Sequence, residues 1–144
     1  MIIRKMEERD IKEVAAIEEE TFSSPWSADS FSKESKNKNN IYLVVEDNGE
    51  IIGYCGLWGV AGEGQITNVA VRKDNRNRGV GRIMLTKLLE LGVNQGLESF
   101  TLEVRESNKS ALHVYQSLGF YSVGIRKNFY TGPTENAVIM WLQK

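Results

Sequence analysis

One cysteine, one histidine and two prolines are all that 144 residues contain of those three types. The lone Cys55 excludes an intramolecular disulfide, and Cys55 with the lone His113 cannot assemble a His/Cys zinc site, so no metal is expected. Two prolines are too few for a long Pro-rich linker. No apolar run approaches the roughly 20 residues that cross a bilayer. The start, Met1-Ile2-Ile3-Arg4-Lys5, lacks the continuous apolar stretch of a signal peptide. An excess of either charge sign is missing too: 18 Lys plus Arg against 19 Asp plus Glu leave a net charge of -1, which excludes a global basic field that recruits nucleic acid. The expected setting is a reducing cytoplasm, with no membrane and no direct nucleic-acid partner. Any anion site has to be local.

What is present suits a globular chain. Hydrophobic residues at 41% and charged residues at 26% are ordinary proportions, and 144 residues match one core, so a single domain over 1–144 is expected. A short strand at 2–4 precedes Asp10, a candidate N-cap for a helix with Ile11, Val14, Ala15, Ile17 and Phe22 on one face. Glu13, Glu18, Glu19 and Glu20 are expected on its solvated side. Ser27 is positioned to cap a second helix running through Phe31. Residues 41–46 and 50–58 read as strands, and Asp47-Asn48-Gly49 between them tolerates the positive φ of a hairpin turn, so the pair is expected to be antiparallel.

Residues 64–72 read as a third strand. After the charged turn 73–78 comes a helix with Val80, Ile83, Met84, Leu88 and Leu91 as its apolar set and Gly92 and Gly96 at its fraying end. Phe100, Leu102 and Val104 alternate with Thr101, Glu103 and Arg105, so the next strand turns Glu103 away from its apolar face. Ser107 is a candidate cap for a last helix that aligns Ala111, Leu112, Tyr115 and Leu118, and Gly119 stops it. Strands at 120–130 and 136–142 complete the chain. The order implies an α/β or α+β layered fold with a mixed sheet flanked by helices.

Between the third strand and its helix lies Arg76-Asn77-Arg78-Gly79-Val80-Gly81-Arg82. The first N–H groups of a helix have no intrahelical acceptor, and the helix dipole there favours anions. Glycine at 79 and 81 permits close approach, while Arg76, Arg78 and Arg82 supply the positive charge that the whole chain lacks. The residues alone read either as a polyphosphate cradle or as a basic turn before a glycine-started helix. A P-loop requires Gly-Lys-Ser/Thr, and Gly81-Arg82-Ile83 supplies neither the lysine nor the hydroxyl. Residues 79–84 imitate a dinucleotide fingerprint, with Glu98 and Glu103 about 20 residues further on, but Met84 stands where the third glycine belongs and a hairpin precedes the motif.

Val69-Ala70-Val71, a short charged loop and Arg76-x-x-Gly79-x-Gly81, followed by Asn108-x-x-Ala111-x-x-x-Tyr115-x-x-x-Gly119-Phe120, resemble the signature segments of the GCN5-related N-acetyltransferase family. The resemblance covers essentially the whole chain. Ser24-Pro25-Trp26-Ser27, Leu102-Glu103-Val104-Arg105-x-Ser107-Asn108 and Arg126-Lys127-Asn128-Phe129-Tyr130 are similar to its ribosomal-protein-alanine N-acetyltransferase branch, with Phe129-Tyr130 and Trp141-Leu142 the looser matches. The resemblance implies the family's fold, a mixed and mostly antiparallel sheet flanked by helices. It also implies acetyl-coenzyme A (acetyl-CoA) as co-substrate. Its pantetheine arm would lie along Val69, Ala70 and Val71, its pyrophosphate at Arg76, Asn77, Arg78, Gly79, Val80, Gly81 and Arg82, and Asn108 would share in holding it.

The implied reaction is direct acetyl transfer to the N-terminal α-amine of a protein, in this branch an alanine terminus of a ribosomal protein. Direct transfer needs a base for the amine and an acid for the departing thiolate. The family's catalytic glutamate falls at Glu103, and Tyr115 is the candidate acid; without the resemblance, Tyr115 would read as packing with Leu112 and Leu118. Asn108 lies two helical turns before Tyr115, about 10 Å along the axis and on a similar face. His113 is the fallback base, and Cys55, mid-strand among glycines, is assigned no catalysis. Trp26, Tyr54 and Tyr130 are candidate walls of a peptide groove. An α-amine of pKa near 8 is deprotonated at pH 7 for about 1.4 kcal/mol, against about 4.6 for lysine, which favours an N-terminal acceptor. A small-molecule amine or lysine acetyltransferase of the same fold, and a non-catalytic acyl-CoA sensor, remain the alternatives.

Overall fold

A computed structural model describes residues 1–144. Seven strands, β1 (Ile2–Lys5), β2 (Asn40–Asp47), β3 (Glu50–Val60), β4 (Glu63–Val71), β5 (Ser99–Arg105), β6 (Tyr121–Tyr130) and β7 (Glu135–Gln143), form one sheet in the order β1-β2-β3-β4-β5-β7-β6. Four helices accompany it: α1 (Ile11–Thr21), α2 (Ala28–Ser35), α3 (Val80–Asn94) and α4 (Lys109–Ser117). Neighbouring strands are antiparallel except β4 and β5, which run parallel over three residue pairs only, from Glu63↔Ser99 to Gln65↔Thr101. The β2–β3 hairpin turns where expected, with Asn48 at φ 52° and Gly49 at φ 80°.

Strand alternation divides the core between the two faces of the sheet. One cluster joins Met84, Leu85 and Leu88 of α3 to Leu43, Leu57, Phe100 and Met140. The other joins Val14 and Ile17 of α1 and Phe31 of α2 to Tyr42, Val44 and Tyr54. Phe31, Val14, Leu88 and Phe100 are wholly buried, each contributing on the order of 1.5–3 kcal/mol of transfer free energy. Ser27 caps α2 as expected, accepting the Ser30 N–H at 3.2 Å.

Four local expectations need correction. Asp10 makes no cap bond to α1; it is buried, receives the Glu7 N–H at 2.8 Å and takes both ends of the Arg4 guanidinium at 2.7 and 2.9 Å. Glu18 is not on a solvated face. It is 2% exposed because Val14, one turn earlier, sets the stripe it belongs to, and Glu13 accepts the Ile51 N–H, leaving Glu19 and Glu20 as the exposed pair. Phe22, expected on the apolar face, lies at the end of α1 and is 38% exposed. Gly92 belongs inside α3: a Cβ there would meet the Phe100 ring at 2.7 Å, so the glycine serves helix–sheet packing, and Gly96 at φ 100° ends the turn.

Candidate active site

Beyond Gln65↔Thr101 the pairing of β4 with β5 stops, while β4 remains paired with β3 to Gly53↔Val71 and β5 with β7 to Arg105↔Ala137. The two strands therefore splay, and the sheet opens at its centre. Thr67 is the extra residue of a bulge between Leu57↔Ile66 and Gly56↔Asn68, and a bulge bends and twists the strand that carries it. Backbone groups of successive residues point to opposite sides of a strand. The Arg72 N–H donates to Ile52 O at 2.8 Å, so Val71 and Val69 turn their backbone groups toward the opening. The Arg76 Nε–H takes up Val71 O at 3.1 Å, and the remaining groups of Val69 and Val71 have no strand beside them.

The glycine loop sits at the wide end of this opening. Gly79, the residue before α3, adopts φ 76°, a conformation that costs an L side chain strain, and Asn77 adopts φ 63°. No side chain caps α3, and its first turn carries no acidic residue. The first intrahelical bond runs from Ile83 N–H to Gly79 O at 3.1 Å, which leaves the N–H groups of Val80, Gly81 and Arg82 without helical acceptors. A Cβ at Gly79 would meet nothing within 4 Å, and one at Gly81 only Val71 Cγ2 at 4.0 Å, so the space above both is open. These features fit a pyrophosphate. The three guanidinium groups differ: Arg78 donates to Asn75 Oδ1 at 2.6 Å and reaches Asp47, Arg76 is tied to β4, and Arg82 binds Ser117 Oγ of α4. Arg82 thus joins α3 to α4 with its side chain and faces an anion with its backbone alone.

Glu103 lies two residues past the last β4–β5 pair, on the face of β5 opposite Leu102 and Val104. Its Oε2 forms an ion pair with Arg126 Nε at 2.8 Å. Tyr115 is 7% exposed and packs edge-on against Phe120 at 6.0 Å, so part of the packing reading is correct. Burial pushes its phenol above the ordinary tyrosine value, and Tyr130 and Cys55 add to the rise. The Tyr130 phenol is pushed up to about 12, by burial first and by Glu103 second. Tyr130 is thus within electrostatic reach of Glu103, and Tyr115 of Tyr130.

Other candidates resolve more simply. Asn108, not Ser107, caps α4, with Oδ1 accepting the Ala111 N–H at 3.2 Å. His113 is exposed. Cys55 is wholly buried, and burial raises its thiol. Tyr54 is fully buried and cannot wall a groove, and Trp26 packs among Phe31, Tyr42 and Trp58. A hollow of about 530 Å³ lined by Asn37, Asn40, Trp58 and Ala61 lies at the other end of β4 from the glycine loop and holds none of the site residues. Sequence reading put Glu18 on the solvated side, although its spacing from Val14 was a signal, and named Arg105 only within the branch motif, with no role.

Residues 11–120 match the acetyltransferase (GNAT) family. This chain belongs to that family. A Bacillus subtilis (strain 168) protein is 40% identical over 141 residues, 97% of this chain and 93% of its own length, and is provisionally named a [ribosomal protein bS18]-alanine N-acetyltransferase. The [ribosomal protein bS18]-alanine N-acetyltransferase of Haemophilus influenzae is 34% identical over 142 residues, 96% of each chain. The crystal structure of the ribosomal-protein-S18-alanine N-acetyltransferase from Escherichia coli superposes with a TM-score of 0.89 at 31% identity, covering 99% of this chain and 92% of that one. The GNAT sheet with its central splay is thus the observed fold, and the family's co-substrate is acetyl-CoA.

Proposed function

We propose that this GNAT chain transfers acetyl from acetyl-CoA to the α-amine of a protein N-terminus, the terminal alanine of ribosomal protein bS18. The observation that carries the reaction is the opening between β4 and β5: unpaired backbone lines its β4 side, Glu103 stands on β5 just past the last pair, and a helix N-terminus lies at its wide end. The acceptor rests on relatives of that name at 40% and 34% identity over nearly full length.

Acetyl-CoA supplies an activated thioester. The N–H groups of Val80, Gly81 and Arg82, with the Arg78 side chain, hold its pyrophosphate, and the backbone of Val69, Ala70 and Val71 receives the pantetheine amides. Asn108 caps the start of α4 through Oδ1, which leaves its amide Nδ2 available to the cofactor. A Val69 backbone N–H polarises the thioester carbonyl. Glu103 takes the proton of the attacking amine, directly or through water, while Arg126 fixes its carboxylate from the other oxygen. Tyr115, kept protonated by burial, donates toward the departing sulfur. No covalent enzyme intermediate is involved.

The test is acetylation of a synthetic peptide carrying the bS18 terminus, beside an Nα-blocked lysine peptide and a polyamine, read by mass spectrometry. A mass gain on the α-amine alone is expected. Transfer only to lysine or polyamine overturns the acceptor, and tight acetyl-CoA binding with no transfer to any amine overturns catalysis.

A further inference from the structure

Arg105 ends β5, two residues after Glu103 on the same face. Its side chain is 24% exposed and reaches two separate stretches of chain, at Ser23 and at 130–135. Nη2 donates to Thr131 O at 2.9 Å and Ser23 Oγ at 3.3 Å; Nη1 donates to Pro133 O at 2.9 Å and Glu135 Oε1 at 3.2 Å. The guanidinium carbon stands 4.6 Å from the Tyr130 ring centroid. Ser23 Oγ itself donates to Thr131 O at 2.7 Å, across 108 residues of sequence. The second oxygen of Glu135 accepts the Ser107 N–H, immediately before the cap of α4.

We infer that Arg105 is a positioning residue that ties loop 22–27, between α1 and α2, to loop 131–134, between β6 and β7, making one clamp over the acceptor side of the opening. The inference rests on the proposed peptide acceptor. A surface arginine held only by charge would need one carboxylate. This one spends its planar fork mainly on carbonyl and hydroxyl oxygens of two loops that no helix or strand connects, a task that lysine, a point charge, cannot reproduce. The Tyr130 ring lies under the guanidinium, so the same side chain also packs the residue that leads into the β6–β7 loop. Tying two loops before the peptide arrives removes ordering that binding would otherwise have to impose, so its effect falls on peptide affinity.

The experiment compares wild type, Arg105→Ala, Arg105→Lys and Ser23→Ala. The acceptors are a six-residue peptide and alaninamide, and hydrogen exchange is followed at 22–27 and 131–134. Arg105→Ala raises the peptide KM about tenfold or more, leaves the acetyl-CoA KM within about twofold and changes alaninamide transfer little. Exchange rises in both loops together. Arg105→Lys falls between wild type and Ala, and Ser23→Ala, an exposed position that should fold normally, moves peptide KM the same way by about threefold. Equal losses with peptide and alaninamide, a parallel rise in acetyl-CoA KM, or unchanged exchange at 131–134 in Ser23→Ala overturn the inference. If Arg105→Ala does not fold, Arg105→Lys and Ser23→Ala decide. A wild type that accepts no peptide defeats the acceptor reading instead, and the exchange measurements still test the tie between the loops.

Discussion

The Tyr54 hydroxyl donates a 2.7 Å hydrogen bond to Glu18 Oε1 where neither side chain reaches solvent, the two being 0% and 2% exposed. Glu18 Oε2 accepts the Trp26 N–H at 2.9 Å, and Asn68 Nδ2 approaches both carboxylate oxygens at 3.4 Å. Burial and then the Glu18 charge raise the Tyr54 phenol, so the proton stays on tyrosine. One carboxylate thereby joins α1, the start of the α2 segment, β3 and the signature strand β4.

Glu18→Ala should strand the Tyr54 hydroxyl and the Trp26 N–H and cost about 2–4 kcal/mol. Tyr54→Phe, which leaves the carboxylate one donor short, should cost about 1–3. Urea denaturation midpoints at constant slope check both. A loss below about 0.5 kcal/mol for Glu18→Ala would contradict the buried network.

Glu103→Gln and Tyr115→Phe should each slow acetyl transfer by about 10²-fold or more while acetyl-CoA affinity stays within about threefold. Calorimetric titration with acetyl-CoA and single-turnover rates separate the two quantities. Unchanged rates in either variant would remove that residue from the proposed chemistry.

Gly79→Val places a β-branched side chain at φ 76° and in the open space above α3. It should weaken acetyl-CoA binding by about tenfold or more, with a stability cost of about 1–2 kcal/mol. Gly81→Val, which has no positive φ to strain, should weaken binding with a smaller loss of stability. Comparing Tm with Kd in the two variants distinguishes blocked space from backbone strain.

Burial alone would push the Asp10 carboxyl up, yet Arg4 and the Glu7 N–H hold it below the ordinary carboxylate value. A carboxyl with a depressed folded-state pKa adds stability above its unfolded value, near 3.9, and that stability is lost as pH falls through the folded one. Asp10→Asn should therefore be less stable than wild type at pH 7, and the difference should shrink as the pH drops below about 4. Stability measured against pH for both chains checks the sign. A gap that widens on acidification would be the wrong one.

The element order, the β2–β3 hairpin and the glycine-started α3 are legible from the residues alone, because these depend on local φ preferences and on periodicities of two and 3.6 residues. The motif run from Val69 through Phe120 likewise carries the family resemblance. Tertiary structure decided the rest. Glu18 sits in the same acidic run as Glu19 and Glu20; its spacing from Val14 sets it on the buried stripe, but the packing of α1 on β3 and β4 is what supplies Tyr54 as its partner. Gly92 reads as a helix terminator until Phe100 of a later strand is seen to occupy the space where its Cβ would go. Arg105 meets Ser23 and Thr131 from positions far apart in the chain, and no local pattern encodes such a meeting. The opening itself, where β4 leaves β5, depends on a bulge at Thr67 and on the pull of two different neighbouring strands. Local chemistry fixes which way a short segment bends; which distant side chains share a buried space is settled by the sheet order, and sheet order is a property of the whole chain.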